Sequence, residues 1–145
     1  MENMARQFVG AWRLVSAVQH MTDGSKRNNP SYGSGGIGYI LYSETGRVCV
    51  VNIDPSRPKW ASESAPTDAE LRSAMKGVIA YAGRYEVNAE QGYVIHHIEV
   101  DAVPNRVGSN PKRFFEFSGD RLILRPPPPH PPGVADYLIT WERVS

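Results

Sequence analysis

The chain has 145 residues, the size of one domain, and we expect a single domain over residues 1–145. Its formal net charge of only +1 gives no electrostatic footprint for nucleic acid or an acidic membrane surface, so neither is an expected partner. The one cysteine, Cys49, excludes an internal disulfide and a cysteine-rich metal site, and its apolar surroundings predict a buried thiol.

The N-terminal segment argues against export. Met1 to Gln7 is polar and lacks the apolar stretch of a signal peptide. No run in the chain approaches the roughly 20 apolar residues that a membrane-spanning helix needs. We therefore expect a soluble cytoplasmic protein with no membrane partner.

The first third of the chain alternates between short apolar segments and turn residues. Residues 3–9 predict a helical turn that leads into a first strand from Trp12 to Val18. Residues 20–36 are rich in Gly, Asn, Asp and Pro, which predicts a loop. Two further strands are predicted at Ile37–Tyr42 and Arg47–Ile53, joined by a hairpin-type turn.

The hydrophobic period changes once, at Thr67. Thr67 and Glu70 match a capping box, and Leu71, Met75 and Val78 then recur at helical spacing, which predicts a helix over about 67–79. Strands resume after it. We expect them at Tyr81–Val87, Tyr93–Val100, Lys112–Phe117, Leu122–Leu124 and from Ala135 to the end, with a stiff proline-rich connection at 126–132 before the last.

These elements predict an all-β fold, an antiparallel β-barrel of about eight strands with one helix between strands three and four. The first and last strands are both apolar, so they can pair and close the sheet. Trp12 and Trp141 lie on these two strands and are expected to pack together at a closed end. A closed barrel of this size has an interior that can hold a small molecule.

A series of short motifs follows one another along nearly the whole chain. They are Val9–Ser16, Gly38-Tyr39, Gly46-Arg47-Val48, Tyr81–Tyr85, His96-His97, Pro104–Gly108, Arg113, Asp120-Arg121-Leu122 and Trp141-Glu142-Arg143. This order resembles the lipocalin-like domain family of small bacterial and fungal proteins. The resemblance implies a calycin-type barrel with a small hydrophobic ligand, and it carries no settled catalytic residues.

Strand alternation sorts candidate residues to the barrel interior. The more apolar face of Tyr93–Val100 includes His96, and the face of the next strand that carries Arg113 also carries Phe115 and Phe117. Histidine can act as a general acid or base near neutral pH, and arginine offers a planar fork to an oxyanion. Both residues can equally be structural, paired with a neighbouring tyrosine or glutamate.

Three further aromatic residues are candidate ligand contacts. Tyr39 and Tyr85 alternate with apolar partners, which predicts that their hydroxyls reach the cavity. Trp60 lies in a polar loop and is expected to cover the barrel mouth together with the helix. Ordinary packing in the core is the alternative for both tyrosines.

Other chemistry is not indicated. Adjacent His96 and His97 point to opposite faces of a strand, so they cannot chelate one metal ion together. The glycine-rich run at 33–38 leads into a strand rather than a helix, so it lacks the helix N-terminus that binds phosphate. We expect no metal and no cofactor.

Two hypotheses about function remain open. In the first, the protein binds a small hydrophobic or aromatic molecule, anionic or carbonyl-bearing, inside the barrel. In the second, it is a cofactor-independent isomerase, cyclase or hydrolase that uses His96 and Arg113 in the same cavity. The sequence shows a cavity but no catalytic constellation, which favours binding and leaves open whether the protein is an enzyme. It does not indicate an oligomeric state.

Overall fold

The computed structural model describes residues 2–32 and 35–145, so Met1 and the part of the predicted loop at 33–34 lie outside the described residues. Within these ranges two α-helices and nine β-strands form. In chain order they are α1 (Glu2–Phe8), β1 (Gly10–Met21), β2 (Lys26–Asn28), β3 (Ile37–Tyr42), β4 (Arg47–Ile53), α2 (Asp68–Lys76), β5 (Val78–Asn88), β6 (Tyr93–Asp101), β7 (Lys112–Ser118), β8 (Arg121–Arg125) and β9 (Val134–Arg143).

The strands form one closed antiparallel sheet. From β3 onwards each strand pairs with the next in sequence, and β1 pairs with both β3 and β9, which closes the barrel. This confirms the predicted antiparallel barrel and the pairing of its first and last strands. The structure adds the short strand β2, which lies within the predicted loop and pairs with the end of β1. A strand of three residues is too short to be predicted from the alternation of apolar and polar residues.

The helix α2 lies between β4 and β5, which are the third and fourth strands of the prediction. Thr67 accepts a hydrogen bond from the Glu70 backbone, and the Glu70 side chain accepts one from the Thr67 backbone, so the capping box is formed. The predicted helix is therefore confirmed in place and in its start.

Aromatic residues close one end of the barrel. Phe8, the last residue of α1, is fully buried and packs edge-on against Tyr42, Phe115 and Phe117. The Trp12 indole donates to the Phe8 carbonyl at 2.8 Å, which ties the helix to β1. These aromatic side chains form a plug that fills the interior at this end of the barrel.

Two predicted side-chain orientations are wrong on β3 and β4. Tyr39 is 51% exposed and points outward, while its neighbours Ile40 and Tyr42 are buried. Cys49 is likewise exposed on the outer face of β4. Both faces of β3 are apolar, so hydrophobic alternation cannot decide which one is inside, and a choice off by one residue reverses every side chain.

The orientations predicted for β7 are confirmed, and so are those for β6 as far as Ile98. Val100, predicted to face inward with them, is 60% exposed, because the β5–β6 ladder shifts register between Ile98 and Val100. His96 is buried on the inner face of β6 together with Val94 and Ile98. On β7, Phe115 is half-buried against the core, whereas Phe114 and Glu116 are exposed. No helix in the described part of the chain is long and apolar enough to cross a membrane.

Candidate functional site

The barrel encloses a cavity of about 430 Å³ that touches most of its strands. Its volume lies in the range of about 300–1,000 Å³ that is typical of small-molecule sites. Aliphatic side chains on the inner positions of β3, β4, β5, β6, β8 and β9 form much of the wall. These are Ile40, Val50, Ile79, Ile98, Leu124 and Ile139.

A hydrogen-bonded chain of three rings lies on one side of the cavity. Nε2 of His96 is 2.7 Å from the Tyr42 hydroxyl, and Nδ1 of His96 is 2.8 Å from the Tyr81 hydroxyl. The three side chains meet inside the barrel because β3, β5 and β6 each present one of them inward. In the backbone ladder the residue opposite His96 is Tyr85, so Tyr81 reaches the imidazole from further along β5. Tyr81 and His96 line the cavity, and Tyr42 is buried behind them.

All three rings are neutral at physiological pH. Burial, together with the nearby positive charge of Arg113, lowers the pKa of His96 to about 3. Burial raises the pKa of Tyr81 to about 12 and that of Tyr42 well above its usual range. An imidazole with so low a pKa is a weak base at neutral pH. His96 therefore holds its two hydrogen bonds as a neutral ring.

Two arginines give the cavity a positive potential. Arg113 of β7 and Arg106, from the 3₁₀ turn Pro104–Arg106, both line it. The Arg113 guanidinium donates to the backbone carbonyl of Lys112 at 2.9 Å. Among the described side chains, those of residues 4–32 and 35–145, no carboxylate lies within ion-pair distance of either guanidinium. A positive charge without an acidic partner favours an electron-rich ligand group.

Two polar atoms in the cavity wall are buried without a hydrogen-bond partner among the described residues. They are the indole Nε1 of Trp141 and the Oδ1 of Asn52, and each side chain is 2% exposed. The amide nitrogen of Asn52 donates to the Tyr32 hydroxyl at 3.3 Å. A buried donor or acceptor left unpaired costs about 1–3 kcal/mol, so a polar group that reached either atom would gain a hydrogen bond.

Gly38 makes room for the Asn52 side chain. A Cβ at Gly38 would lie 2.1 Å from both Asn52 Oδ1 and the Val51 carbonyl oxygen on the neighbouring strand. Any larger residue at position 38 would therefore displace the amide from the wall. In the Gly38-Tyr39 motif, the glycine therefore shapes the cavity wall, whereas the Tyr39 side chain points away from the site.

The structure brings His96 and Arg113 to one cavity, as predicted, but it does not bring the other four candidates there. Tyr39 is on the outer face. Tyr85 and Phe115 point inward at the plugged end, where the Tyr85 hydroxyl donates to the Ser43 carbonyl and Phe115 packs on Phe8. Trp60 lies in a surface groove against Ala74 of α2, away from the cavity.

Comparison with known proteins decides the family. The model of the lipocalin-like domain family matches residues 9–144. This chain belongs to that family. The lipocalin-like domain is also similar to a protein of Aspergillus oryzae named 4'-hydroxy-3'-methoxypropiophenone carrier protein, with 38% identity over 64 residues. That alignment covers 40% of this chain and 58% of the relative, so it spans less than two thirds of the relative's length. Fold and relative together support binding of a small ligand.

Asn52, Tyr81 and Trp141 are among the residues of the lipocalin-like domain's cavity that the sequence prediction missed. Alternation along β5 would have placed Tyr81 inside with Tyr85, and polar Asn52 at the end of the apolar strand β4 was a second signal. Trp141 was expected to pack on Trp12. Instead Trp12 packs on Phe117 and beneath the Arg143 guanidinium, and Trp141 lines the cavity.

Two other concave surfaces of the lipocalin-like domain lie on the outside of the sheet. One, of about 580 Å³, includes Leu41, Cys49 and Val100, and another includes Ile37 and Tyr39. Neither is lined by a buried polar atom without a partner, so we place the candidate site in the interior. No group of three His, Cys, Asp or Glu side chains that could hold a metal ion occurs in the described ranges.

Proposed function

We propose that this lipocalin-like domain binds one small, largely apolar, aromatic molecule with carbonyl or hydroxyl oxygens inside its barrel. The observation that carries the proposal is the pair of unpartnered buried atoms, Trp141 Nε1 and Asn52 Oδ1, in the wall of a ligand-sized cavity. Aliphatic walls supply affinity, and a few polar groups fix orientation.

The polar groups match an aryl ketone with a hydroxyl substituent. The Trp141 indole and the Arg113 guanidinium are donors and suit carbonyl or ether oxygens, while Asn52 Oδ1 is an acceptor and suits a hydroxyl. The Aspergillus oryzae relative is named as a carrier of such a molecule, 4'-hydroxy-3'-methoxypropiophenone. We take this compound as the first probe for the present chain.

The alternative hypothesis, an isomerase, cyclase or hydrolase based on His96 and Arg113, has weaker support. The two residues line one cavity, as that hypothesis requires. However, both ring nitrogens of His96 are occupied by tyrosine hydroxyls, and its lowered pKa makes it a poor base. A carrier or sequestering role needs no proton transfer and is therefore preferred.

Replacing the cavity tryptophan tests the proposal. Adding 4'-hydroxy-3'-methoxypropiophenone should quench the intrinsic fluorescence of the wild-type protein, and Trp141→Phe should remove most of that change. Calorimetry should show about 5–50-fold weaker binding to Trp141→Phe, because one donor is lost from a buried site. Trp60→Phe is the matched control and should bind like the wild type. Normal binding to Trp141→Phe together with impaired binding to Trp60→Phe would place the ligand outside the barrel.

A pair of probes with and without a negative charge tests the role proposed for Arg113. Veratrate and veratraldehyde share one skeleton, but only the first is an anion at neutral pH. Arg113→Met should weaken veratrate binding about tenfold and veratraldehyde binding much less, because a charge-assisted hydrogen bond is stronger than a neutral one. Arg84→Met, on the outer surface, removes the same charge and should change neither affinity by more than about twofold. Equal losses for both probes in Arg113→Met would contradict an anion-binding role.

A further inference from the structure

Burial determines which group donates in each of the two hydrogen bonds that join Tyr42, His96 and Tyr81. A neutral imidazole has one N–H donor and one acceptor nitrogen, and a tyrosine hydroxyl has one hydrogen to donate. Tyr42 is 2% exposed, and in the described part of the chain its hydroxyl has one hydrogen-bond partner, Nε2 of His96. The buried Tyr42 hydrogen therefore goes to Nε2, since any other direction leaves a donor unpaired.

The tautomer of His96 follows from this assignment. With Nε2 acting as acceptor, the ring proton of neutral His96 is on Nδ1 and is donated to the Tyr81 oxygen at 2.8 Å. The Tyr81 hydroxyl hydrogen is then not used by His96. Tyr81 lines the cavity, so its hydrogen is free to point there.

We infer that the Tyr42–His96 pair fixes Tyr81 as a hydrogen-bond donor to the cavity, and that this donor selects ligands with a ketone or similar carbonyl oxygen. The inference rests on the proposed function and deepens it by naming the ligand group and the residue that recognises it. His96 acts here as a positioning residue, because it orients the donor through Tyr81 rather than by touching the ligand's carbonyl.

The neighbouring charges are consistent with a donor role. The Arg113 guanidinium acts electrostatically on Tyr81, His96, Tyr42 and Tyr137, so the cavity wall around Tyr81 is positive. Arg106 acts on Tyr81 in the same sense, and the carboxylate of Asp101 opposes it. A carbonyl oxygen with its partial negative charge is favoured in such a field, whereas a ligand N–H facing Tyr81 is not.

Nitrogen-15 NMR of the imidazole tests the direction of the chain without any ligand. At pH 7 the wild-type protein should show His96 with a pyrrole-type, protonated Nδ1 and a pyridine-type Nε2. Tyr42→Phe removes the donor to Nε2 and should shift the ring toward a mixture of the two tautomers. The opposite tautomer, or a doubly protonated ring in the wild type, would overturn the inference.

A pair of ligands that differ only at the carbonyl tests the recognition step. The ketone is 4'-hydroxy-3'-methoxypropiophenone, and 2-methoxy-4-propylphenol carries a methylene group in place of its carbonyl. Tyr81→Phe should reduce the ratio of the two affinities, ketone over methylene compound, by about tenfold, as expected for one lost hydrogen bond. Tyr93→Phe, on the outer side of β6, is the matched control and should keep the wild-type ratio.

The outcomes separate the two claims. An unchanged affinity ratio in Tyr81→Phe, with both molecules still bound, overturns the recognition by Tyr81 and leaves the proposed function standing. Failure of both molecules to bind the wild type counts against the proposed function and against the carbonyl step that rests on it. The NMR result then still decides the tautomer of His96, because it needs no ligand.

Discussion

His96→Leu is expected to lower the free energy of unfolding by about 2–4 kcal/mol, although leucine is of similar size and suits a buried position. The loss comes from the two tyrosines that the imidazole pairs. The Tyr42 hydroxyl is fully enclosed and would be left unpaired at a cost of about 1–3 kcal/mol, and Tyr81 would lose a partner beside a cavity that water can enter. Urea unfolding followed by circular dichroism measures the change.

Two further variants make this result specific. His97→Leu changes the next residue in the same way, but His97 is on the outer face, bonded to Asn110 and Glu86, so its loss should cost less than about 1 kcal/mol. Adding Tyr42→Phe to His96→Leu removes the unpaired hydroxyl and should raise the free energy of unfolding again by about 1–2 kcal/mol. A double variant that is less stable than His96→Leu alone would show that the chain of rings is not the source of the effect.

Acid should destabilise the protein through the same residue. The pKa of His96 is about 3 in the folded protein, against about 6.5 in the unfolded chain. Between these values only the unfolded chain binds the proton, so unfolding becomes easier by about 1.4 kcal/mol for each pH unit below about 6.5. The contribution of His96 is fully present above pH 6.5 and should have fallen by about 2–3 kcal/mol at pH 4.5.

The difference between wild type and His96→Leu isolates this contribution. The exposed carboxylates with lowered pKa values, Asp23, Asp54 and Glu70, act in the same direction but only at lower pH, near the normal carboxylate range, and they are present in both proteins. Urea midpoints measured from pH 7.5 to 4.5 should therefore fall more steeply for the wild type than for His96→Leu. Parallel curves would mean that His96 titrates normally in the folded state.

The barrel could be predicted because two features of the sequence extend over whole strands: the alternation of apolar and polar residues, and the apolar character of the first and last strands. The prediction of orientation failed where one strand is apolar on both faces, as at Tyr39. Alternation also predicts which face of the sheet a side chain lies on, but not how far along the barrel it lies. Tyr85 and Phe115 are inward, yet Tyr85 packs on Tyr42 and Phe115 packs on Phe8 at the plugged end, and neither lines the cavity.

The polar half of the site depends on relations between strands that no single segment encodes. His96 bonds to Tyr42 and Tyr81 on two other strands, although the residue opposite it in the backbone ladder is Tyr85. The unpaired atoms of Asn52 and Trp141 are identified only by showing that no described residue around them offers a partner. Such sites become visible when the packing of all strands is known.

The central claim is that the ligand binds inside the barrel, and nuclear Overhauser contacts between 4'-hydroxy-3'-methoxypropiophenone and assigned methyl groups test it most directly. The account predicts contacts from the aromatic ring to inner methyls such as those of Val50, Leu124 and Ile139. Contacts confined to the outer methyls of Leu41 and Val100, with none to the inner set, would contradict it.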